Sequence, residues 1–351
     1  MDETRYITRA LELARLAEGR VSPRPPVGAL IVAPNGDVVG EGWSTDGPGL
    51  HAEVAALSAA GEQARGATCY ATLEPCLKWC TPALIASGVS RVVASITDPN
   101  PNVDGKGFDE LRRAGIEVGT GPGADEAAVL IAPFTKWIST NRPFVTLKLA
   151  ASLDGKVAAP DGTSRWITGE AARADVHELR RIVDAICVGS GTVITDDPLL
   201  TYRGPFDVKQ PLRVVLDSHG LTPEHANVRN DDAPTLIITK SDVAAGEGGL
   251  DLDAVLDLLG GRGICHLLVE GGPTLAGSFV ERKLVDKLVL YLAPKIVGGE
   301  APGMFGDGVK TITEAWNVEI EAVTRFGDDL KIEARFPATG GALRAAPSEV
   351  N

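Results

Sequence analysis

No stretch of this 351-residue chain approaches the ~18–20 consecutive apolar residues that a membrane span needs, so a membrane role is not expected. The opening residues, MDETRYITRALELARLAEG, contain no basic segment followed by an apolar block and do not read as a secretory signal. Positive charge is scarce as well. Against 47 Asp and Glu stand only 34 Lys and Arg, a net charge of −13, and an acidic surface repels nucleic-acid phosphates. The five cysteines are few and odd in number, a usage that points to a reducing compartment and a cytoplasmic protein. Repeats and low-complexity blocks are missing. What is left, 44% apolar and 23% charged residues, is the composition of a soluble globular chain long enough for two cores.

The apolar spacing alternates between helical and strand periods. Ile7, Ala10, Leu11, Ala14 and Ala17 predict an amphipathic helix over 5–18. Asn35-Gly36 between the runs 27–33 and 37–42 is a strong hairpin signal. Strands are expected at 69–73 and 91–96, with helices at 52–60, 81–87, 108–114 and 124–137. Polar residues and a proline at 139–143 interrupt the pattern, and we place a domain boundary there, giving domains 1–142 and 143–337. The second domain repeats the alternation: strands at 144–150, 185–188, 212–216, 235–239, 264–269, 287–293 and 330–336, helices at 173–182, 252–259 and 274–281. Such a pattern specifies an α/β layer fold. Residues 338–351, small, polar and Gly-rich, read as a disordered tail.

Chemistry concentrates first in His51-Ala52-Glu53, Pro75-Cys76 and Cys80. A catalytic zinc takes three protein ligands and keeps one position open for water, and one His with two thiolates supplies that set. The metal makes water ionisable near neutral pH. A carboxylate two residues from the His can stay outside the coordination shell and shuttle protons from that water to a ring nitrogen and a departing amine. Zinc deaminases carry His-x-Glu followed by Pro-Cys-x-x-Cys. Here the cysteines are one residue further apart, at i and i+4, which still share a face at a helix start. Taken singly, a His-x-Glu arises by chance and two cysteines near a helix start are core filler; the combination points to a metal site. Cys69, Cys187 and Cys265 lie in apolar strands and are assigned to the core.

In the second domain, Val188-Gly-Ser-Gly-Thr192 and Glu270-Gly-Gly-Pro-Thr-Leu-Ala-Gly-Ser278 are glycine-bearing strand-to-helix turns able to present backbone donors to a dinucleotide. Neither has the spacing of a Rossmann fingerprint, so by themselves they read as tight packing before a cofactor site.

Further motifs carry a resemblance. They are Pro25-Pro26-Val27-Gly28, His51-Ala52-Glu53-Val54, Thr72-Leu73-Glu74-Pro75-Cys76, Asp98-Pro99-Asn100-Pro101, Lys148 within the run 147–156, Ser164-Arg165-Trp166-Ile167-Thr168, Asp196-Asp197-Pro198 and Glu270-Gly271-Gly272-Pro273. Over residues 3–336 the chain resembles the bifunctional deaminase–reductase family of riboflavin biosynthesis. The resemblance implies a cytidine-deaminase-like three-layer α/β/α domain followed by a dihydrofolate-reductase-like α/β domain. It implies hydrolytic deamination of a phosphoribosylated diaminopyrimidinone and NADPH-dependent reduction of its ribosyl group to ribityl. One zinc per chain would sit on His51, Cys76 and Cys80, with Glu53 as proton shuttle. NADPH would meet Ala150, Trp166, Thr192, Asp196, Ser218 and the segment Gly272, Pro273, Thr274, Leu275, Ala276, Gly277 and Ser278. The substrate would meet Ser164, Leu200, Arg203 and Glu270, Arg203 suiting its phosphate because a planar guanidinium pairs two oxygens at once. Lys148 and Asp196 are candidates for protonation around the opened sugar, although Lys148 also reads as a strand-edge surface residue and Asp196 as a cap. The small-molecule substrate is the expected partner, in a homo-oligomer, with neither nucleic acid nor membrane.

Two departures from the family pattern stand out. Only Leu77-Lys78-Trp79 separate the two cysteines, where the family has a longer loop, and Arg24 stands where the family has Asn between two prolines. They motivate a second reading, a specialised paralogue acting on a related pyrimidine or pteridine-like intermediate. A zinc-stabilised scaffold without activity is a third, against which the intact Glu53 speaks.

Overall fold

The computed structural model describes residues 3–46, 51–121, 123–246, 249–306 and 308–337, and the chain divides into two units, Met1–Asn141 and Arg142–Asn351. The expected tail at 338–351 lies outside the described residues.

The first unit is built on five strands: β1 (Gly28–Val32), β2 (Val38–Trp43), β3 (Thr68–Ala71), β4 (Arg91–Ala94) and β5 (Glu117–Thr120). Their order is β2-β1-β3-β4-β5, antiparallel from β2 through β3 and parallel from β3 to β5. The Asn35-Gly36 turn joins β1 to β2 as expected, with Gly36 at a φ of +92° that a side chain would oppose. Strand alternation sends Leu30, Val32, Tyr70 and Val93 to one face, where α1 (Thr4–Arg15) and α5 (Ala124–Leu130) cover them. Ala29, Ile31, Cys69, Ala71 and Val92 point to the other, under α2 (Ala52–Ala60), α3 (Cys80–Ser87), α4 (Lys106–Arg113) and α6 (Ala132–Thr140). This is the three-layer α/β/α arrangement. One expected helix, over 124–137, is in fact two. Pro133 lacks an N–H and its ring opposes a continuing helix, so α5 stops at Leu130 and α6 restarts with the proline in its first turn.

The approach of α2 to β2 leaves no room for side chains between them. A Cβ on Gly42 would lie 2.3 Å from the Ala52 carbonyl oxygen, and one on Gly40 would lie 2.2 Å from that of Ala56. These two glycines therefore set the height of the α2 N-terminus above the sheet, and with it the position of His51 and Glu53.

The second unit contains β6 (Phe144–Ser152), α7 (Glu170–Ile182), β7 (Ala185–Gly189), α8 (Ser190–Asp196), β8 (Leu212–Leu216), β9 (Thr235–Ile238), a short pair β10 (Ala245–Gly246) and β11 (Gly249–Leu250), α9 (Leu252–Gly261), β12 (His266–Val269), α10 (Pro273–Glu281), β13 (Lys287–Ala293), β14 (Glu319–Phe326) and β15 (Asp329–Arg335). Eight strands form one sheet in the order β14-β15-β13-β6-β12-β7-β8-β9. From β13 to β9 they are parallel; β15 and β14 return antiparallel. Helices α9 and α10 bury one face, with Leu147, Leu149, Leu267 and Val269 beneath them, while α7 and α8 cover Ile186, Val188, Val215 and Tyr291 on the other. Parallel strands enclosed in this way read as continuous apolar runs, which is why β7, β8 and β12 are legible in the sequence. The edge strand β14 is not, because most of it is exposed and its residues are mixed. Arg142, last residue of the expected first domain, is held in the second unit: its Nε and Nη2 donate to Asp257 at 2.6 and 3.0 Å, and its Nη1 to Asp253 at 2.6 Å, both carboxylates on α9.

The Gly42→Ala variant should destabilise the first unit by about 1–3 kcal/mol through overpacking, read as a lower thermal midpoint. Gly261→Ala, whose Cβ would meet nothing within 4 Å, should leave the midpoint unchanged or raise it.

Candidate active sites

His51 ends the approach to α2 as its N-cap, in extended backbone (φ −82°, ψ 151°), so the helix axis directs the imidazole and the next turn toward the same spot. Pro75-Cys76 follows the end of β3, and Cys80 opens α3. The three side chains converge: His51 Nδ1 lies 3.3 Å from Cys80 Sγ and 3.6 Å from Cys76 Sγ, and the sulfurs are 3.4 Å apart. In a tetrahedral zinc shell, ligand atoms at the usual bond lengths stand roughly 3.5–3.8 Å apart. One imidazole and two thiols at these separations therefore fit zinc, and the three-residue connection Leu77-Lys78-Trp79 does not prevent it. The contacts from Cys80 and His51 hold the Cys76 thiol far below its ordinary range, ready to ligate as thiolate.

Glu53 sits in the first turn of α2, only 3% exposed. Burial pushes its carboxyl up to about 7, so it can hold or release a proton near neutrality.

A second buried carboxylate has a different task. Glu74, in the Thr72-Leu73-Glu74-Pro75-Cys76 motif, accepts backbone N–H donors from Asp98 (3.1 Å), Gly105 (2.9 Å), Gly107 (2.9 Å) and Phe108 (3.3 Å). It ties the loop after β4 to the turn that carries Cys76. The motif by itself does not disclose this role; a Glu among apolar neighbours immediately before a ligand turn was the available signal. Arg24 donates through Nη2 to the Thr45 carbonyl at 2.8 Å; the Cys76 sulfur raises the His51 imidazole above its ordinary range, and the Arg24 charge opposes that rise only weakly.

In the second unit a cavity of about 990 Å³ opens at the C-terminal ends of the parallel strands. It is lined by Lys148, Ala150, Ser164, Trp166, Thr192, Asp196, Leu200, Arg203, Ser218, Glu270 and, from the start of α10, Gly272, Pro273, Thr274, Leu275 and Ser278. Two expected contacts fall elsewhere: Ala276 is fully buried in the core, and Gly277 packs against the Phe305 carbonyl. The N-terminus of α10, with Gly272 as cap and Pro273 in the first turn, points free N–H groups at the cavity, as a phosphate requires.

Lys148 is on β6, a central strand, so it is not an edge surface residue. Desolvation lowers its pKa, with Glu270 opposing and Arg180 assisting that shift. Glu270 pairs with Arg180 at 2.7 and 2.9 Å, both groups being largely buried. Burial would raise the Glu270 carboxyl, but the Arg180 guanidinium overrides it and holds it down at about 2. Arg180, which also donates to the Thr201 carbonyl and lines the cavity, is not singled out by the sequence. Helical periodicity accounts for α7 without asking why an arginine faces inward. Asp196, at the end of α8, faces Arg165 at 3.5 Å across the rim.

Comparison with known proteins agrees with this geometry. Residues 1–96 match the cytidine and deoxycytidylate deaminase zinc-binding region, and residues 143–332 match the RibD C-terminal domain. The riboflavin biosynthesis protein RibD of Aquifex aeolicus (strain VF5) is 42% identical over 345 residues, covering 93% of this chain and 96% of that protein. That of Escherichia coli (strain K12) is 39% identical over 361 residues, covering 94% and 98%. Among solved structures, Acinetobacter baumannii RibD superposes with a TM-score of 0.88 at 35% identity, over 96% of this chain and 99% of that one. The Thermotoga maritima diaminohydroxyphosphoribosylaminopyrimidine deaminase/5-amino-6-(5-phosphoribosylamino)uracil reductase gives a TM-score of 0.86 at 33% identity, over 95% and 98%. A zinc-fitting triad in one unit, a dinucleotide-sized cavity in the other and similarity along nearly the whole length place this chain in the RibD family, the bifunctional deaminase–reductases of riboflavin biosynthesis.

Proposed function

We propose that residues 1–141 carry the deaminase and 142–337 the reductase, and that the side chains described above divide the chemistry as follows. The observation that carries the first half is a buried, proton-ready Glu53 beside the His51, Cys76 and Cys80 triad. Bound by those three residues, zinc supplies the Lewis acidity that makes water a nucleophile near neutral pH. Glu53 takes a proton from the attacking water, delivers it to the pyrimidine ring nitrogen and then assists departure of the amine as ammonia. Its burial keeps bulk water from competing for that proton. Glu74 keeps the Asp98–Phe108 loop against the ligand turn while this occurs.

In the reductase half, NADPH supplies the hydride. Thr192, Ser218 and the α10 N-terminus hold the dinucleotide, while Ala150 and Trp166 line its path. Arg203 grips the substrate phosphate, with Arg180 beside it; Ser164, Leu200 and Glu270 fix the sugar chain. Lys148 donates a proton as hydride reaches C1′ of the opened sugar, an ammonium made readier to give it up by desolvation. Asp196 supports that transfer from the rim. We further propose a cytoplasmic homo-oligomer, since all five cysteines are free and the exposed edge strand β14 presents Ile320 and Val323, 63% and 56% exposed.

Three outcomes test this division. Glu53→Gln should retain about one zinc by metal analysis while ammonia release from the diaminopyrimidinone phosphate falls by at least 10²-fold, the usual weight of a general base; activity close to wild type would remove Glu53 from the chemistry. Lys148→Met should lower reductase kcat by about 10²–10⁴-fold. In the wild type, reductase kcat should decline as pH rises through the Lys148 pKa, because the donating form is the ammonium, and that decline should begin below the ordinary lysine range of about 10.4. A monomer by light scattering would exclude the oligomer.

A further inference from the structure

Leu200, in the wall of the reductase cavity, has a φ of +49°. Left-handed backbone is ordinary for glycine and an outlier for a branched apolar residue. Three positions earlier Asp197, the C-cap of α8, is left-handed as well, at a φ of +39°. Asp196 stands immediately before this doubly strained turn. Strain of this kind persists only where the surrounding groups over-determine it.

Those groups can be named. Asn227, between β8 and β9, grips Asp197 at three atoms. Its backbone N–H donates to Oδ1 at 2.7 Å, while its Nδ2 donates to Oδ2 at 2.9 Å and to the Asp197 carbonyl at 3.0 Å. Arg213, the second residue of β8, is wholly buried in an otherwise apolar strand. Its Nη1 reaches the Leu199 carbonyl at 3.4 Å, the Asn227 carbonyl at 3.1 Å and Asn230 Oδ1 at 2.7 Å. Nη2 donates to the carbonyls of Asn230 and Ala233, and Nε to Thr235 Oγ1 at 2.9 Å. A buried cation needs each of its donors satisfied, and here neutral oxygens of two loops satisfy them. Only a guanidinium offers five donors in a fixed plane, so a lysine could not hold the same set. One side chain thus fixes the Leu199 and Asn227 carbonyls, and Asn227 fixes Asp197. Asp196, Asp197, Leu199, Leu200 and Asn227 line the cavity, and Arg213 acts from behind that wall.

We propose that Arg213 and Asn227 are positioning residues of the reductase, clasping the Asp197–Leu200 turn so that the Asp196 carboxylate is held where the hydride transfer needs it. This rests on the reading of Asp196 as a residue of the reductase chemistry.

The test follows both activities of the full-length protein, the deaminase serving as a control of its integrity. Asn227→Ala removes the two Nδ2 contacts at an exposed position, and Arg213→Lys keeps the charge but loses the fork. Each should lower reductase kcat roughly 10- to 100-fold, the order of loss that a misplacement of about an ångström brings, with ammonia release unchanged. In an Asp196→Ala background neither should lower kcat further, because the carboxylate they place is gone. Wild-type kcat in Asn227→Ala and Arg213→Lys, whatever their thermal midpoints, would overturn the proposal and leave the clasp as support of the fold. A full additional loss in the Asp196→Ala background would overturn it too. If Arg213→Lys does not fold, Asn227→Ala decides alone. Asp196→Ala by itself checks the premise: wild-type kcat there would show that Asp196 has been misassigned, whatever Arg213 and Asn227 do.

Discussion

A parallel strand enclosed by helices on both faces carries polar groups most readily where it ends, and Lys148, midway along β6, is an exception. In this chain that constraint gathers most residues of both candidate sites. In the first unit the end of β3 leads to Glu74 and Cys76, and the end of β4 leads to Asp98. In the second, the ends of β7, β8 and β12 lead to Thr192, Ser218 and Glu270 around one cavity. Ligands of open α/β sheets bind beyond the carboxyl ends of the strands for the same reason. The helices that follow those strands then contribute their N-termini, so backbone donors gather where the side chains do.

Within the reductase cavity the electrostatics are organised around one buried pair. Arg180 and Glu270 neutralise each other at bidentate distance, and removal of either would strand a buried charge. Beside that neutral centre Lys148 feels desolvation more than attraction. The deaminase centre works differently. There the converging groups are an imidazole and two thiols, a donor set that fits a divalent cation, and Glu53 close by is shielded from water.

The sequence made the metal-fitting triad legible because its residue types are rare and its spacing is chemically restrictive. The buried parallel strands were legible for a related reason, since a short uninterrupted apolar run must be enclosed on every side. Arg180, Glu74 and Arg213 escaped. Each is a common polar residue on an otherwise ordinary element, and its importance comes from neighbours 14 to 90 positions away. The division of 124–137 into α5 and α6 was signalled by Pro133, but the apolar spacing on both sides concealed it. Strand β14 left almost no trace, because an exposed edge does not impose a pattern on its side chains.

The clasp of Arg142 by Asp253 and Asp257 bears on how this polypeptide can be cut in two. A reductase fragment beginning at Pro143 would leave two carboxylates of α9 facing each other without their shared cation, at the very point where β6 enters the sheet. One that begins at Arg142 keeps the seam closed. For anyone separating the two enzymes, or grafting either onto another protein, the new end keeps its ion pairs to α9 only if Arg142 goes with the reductase.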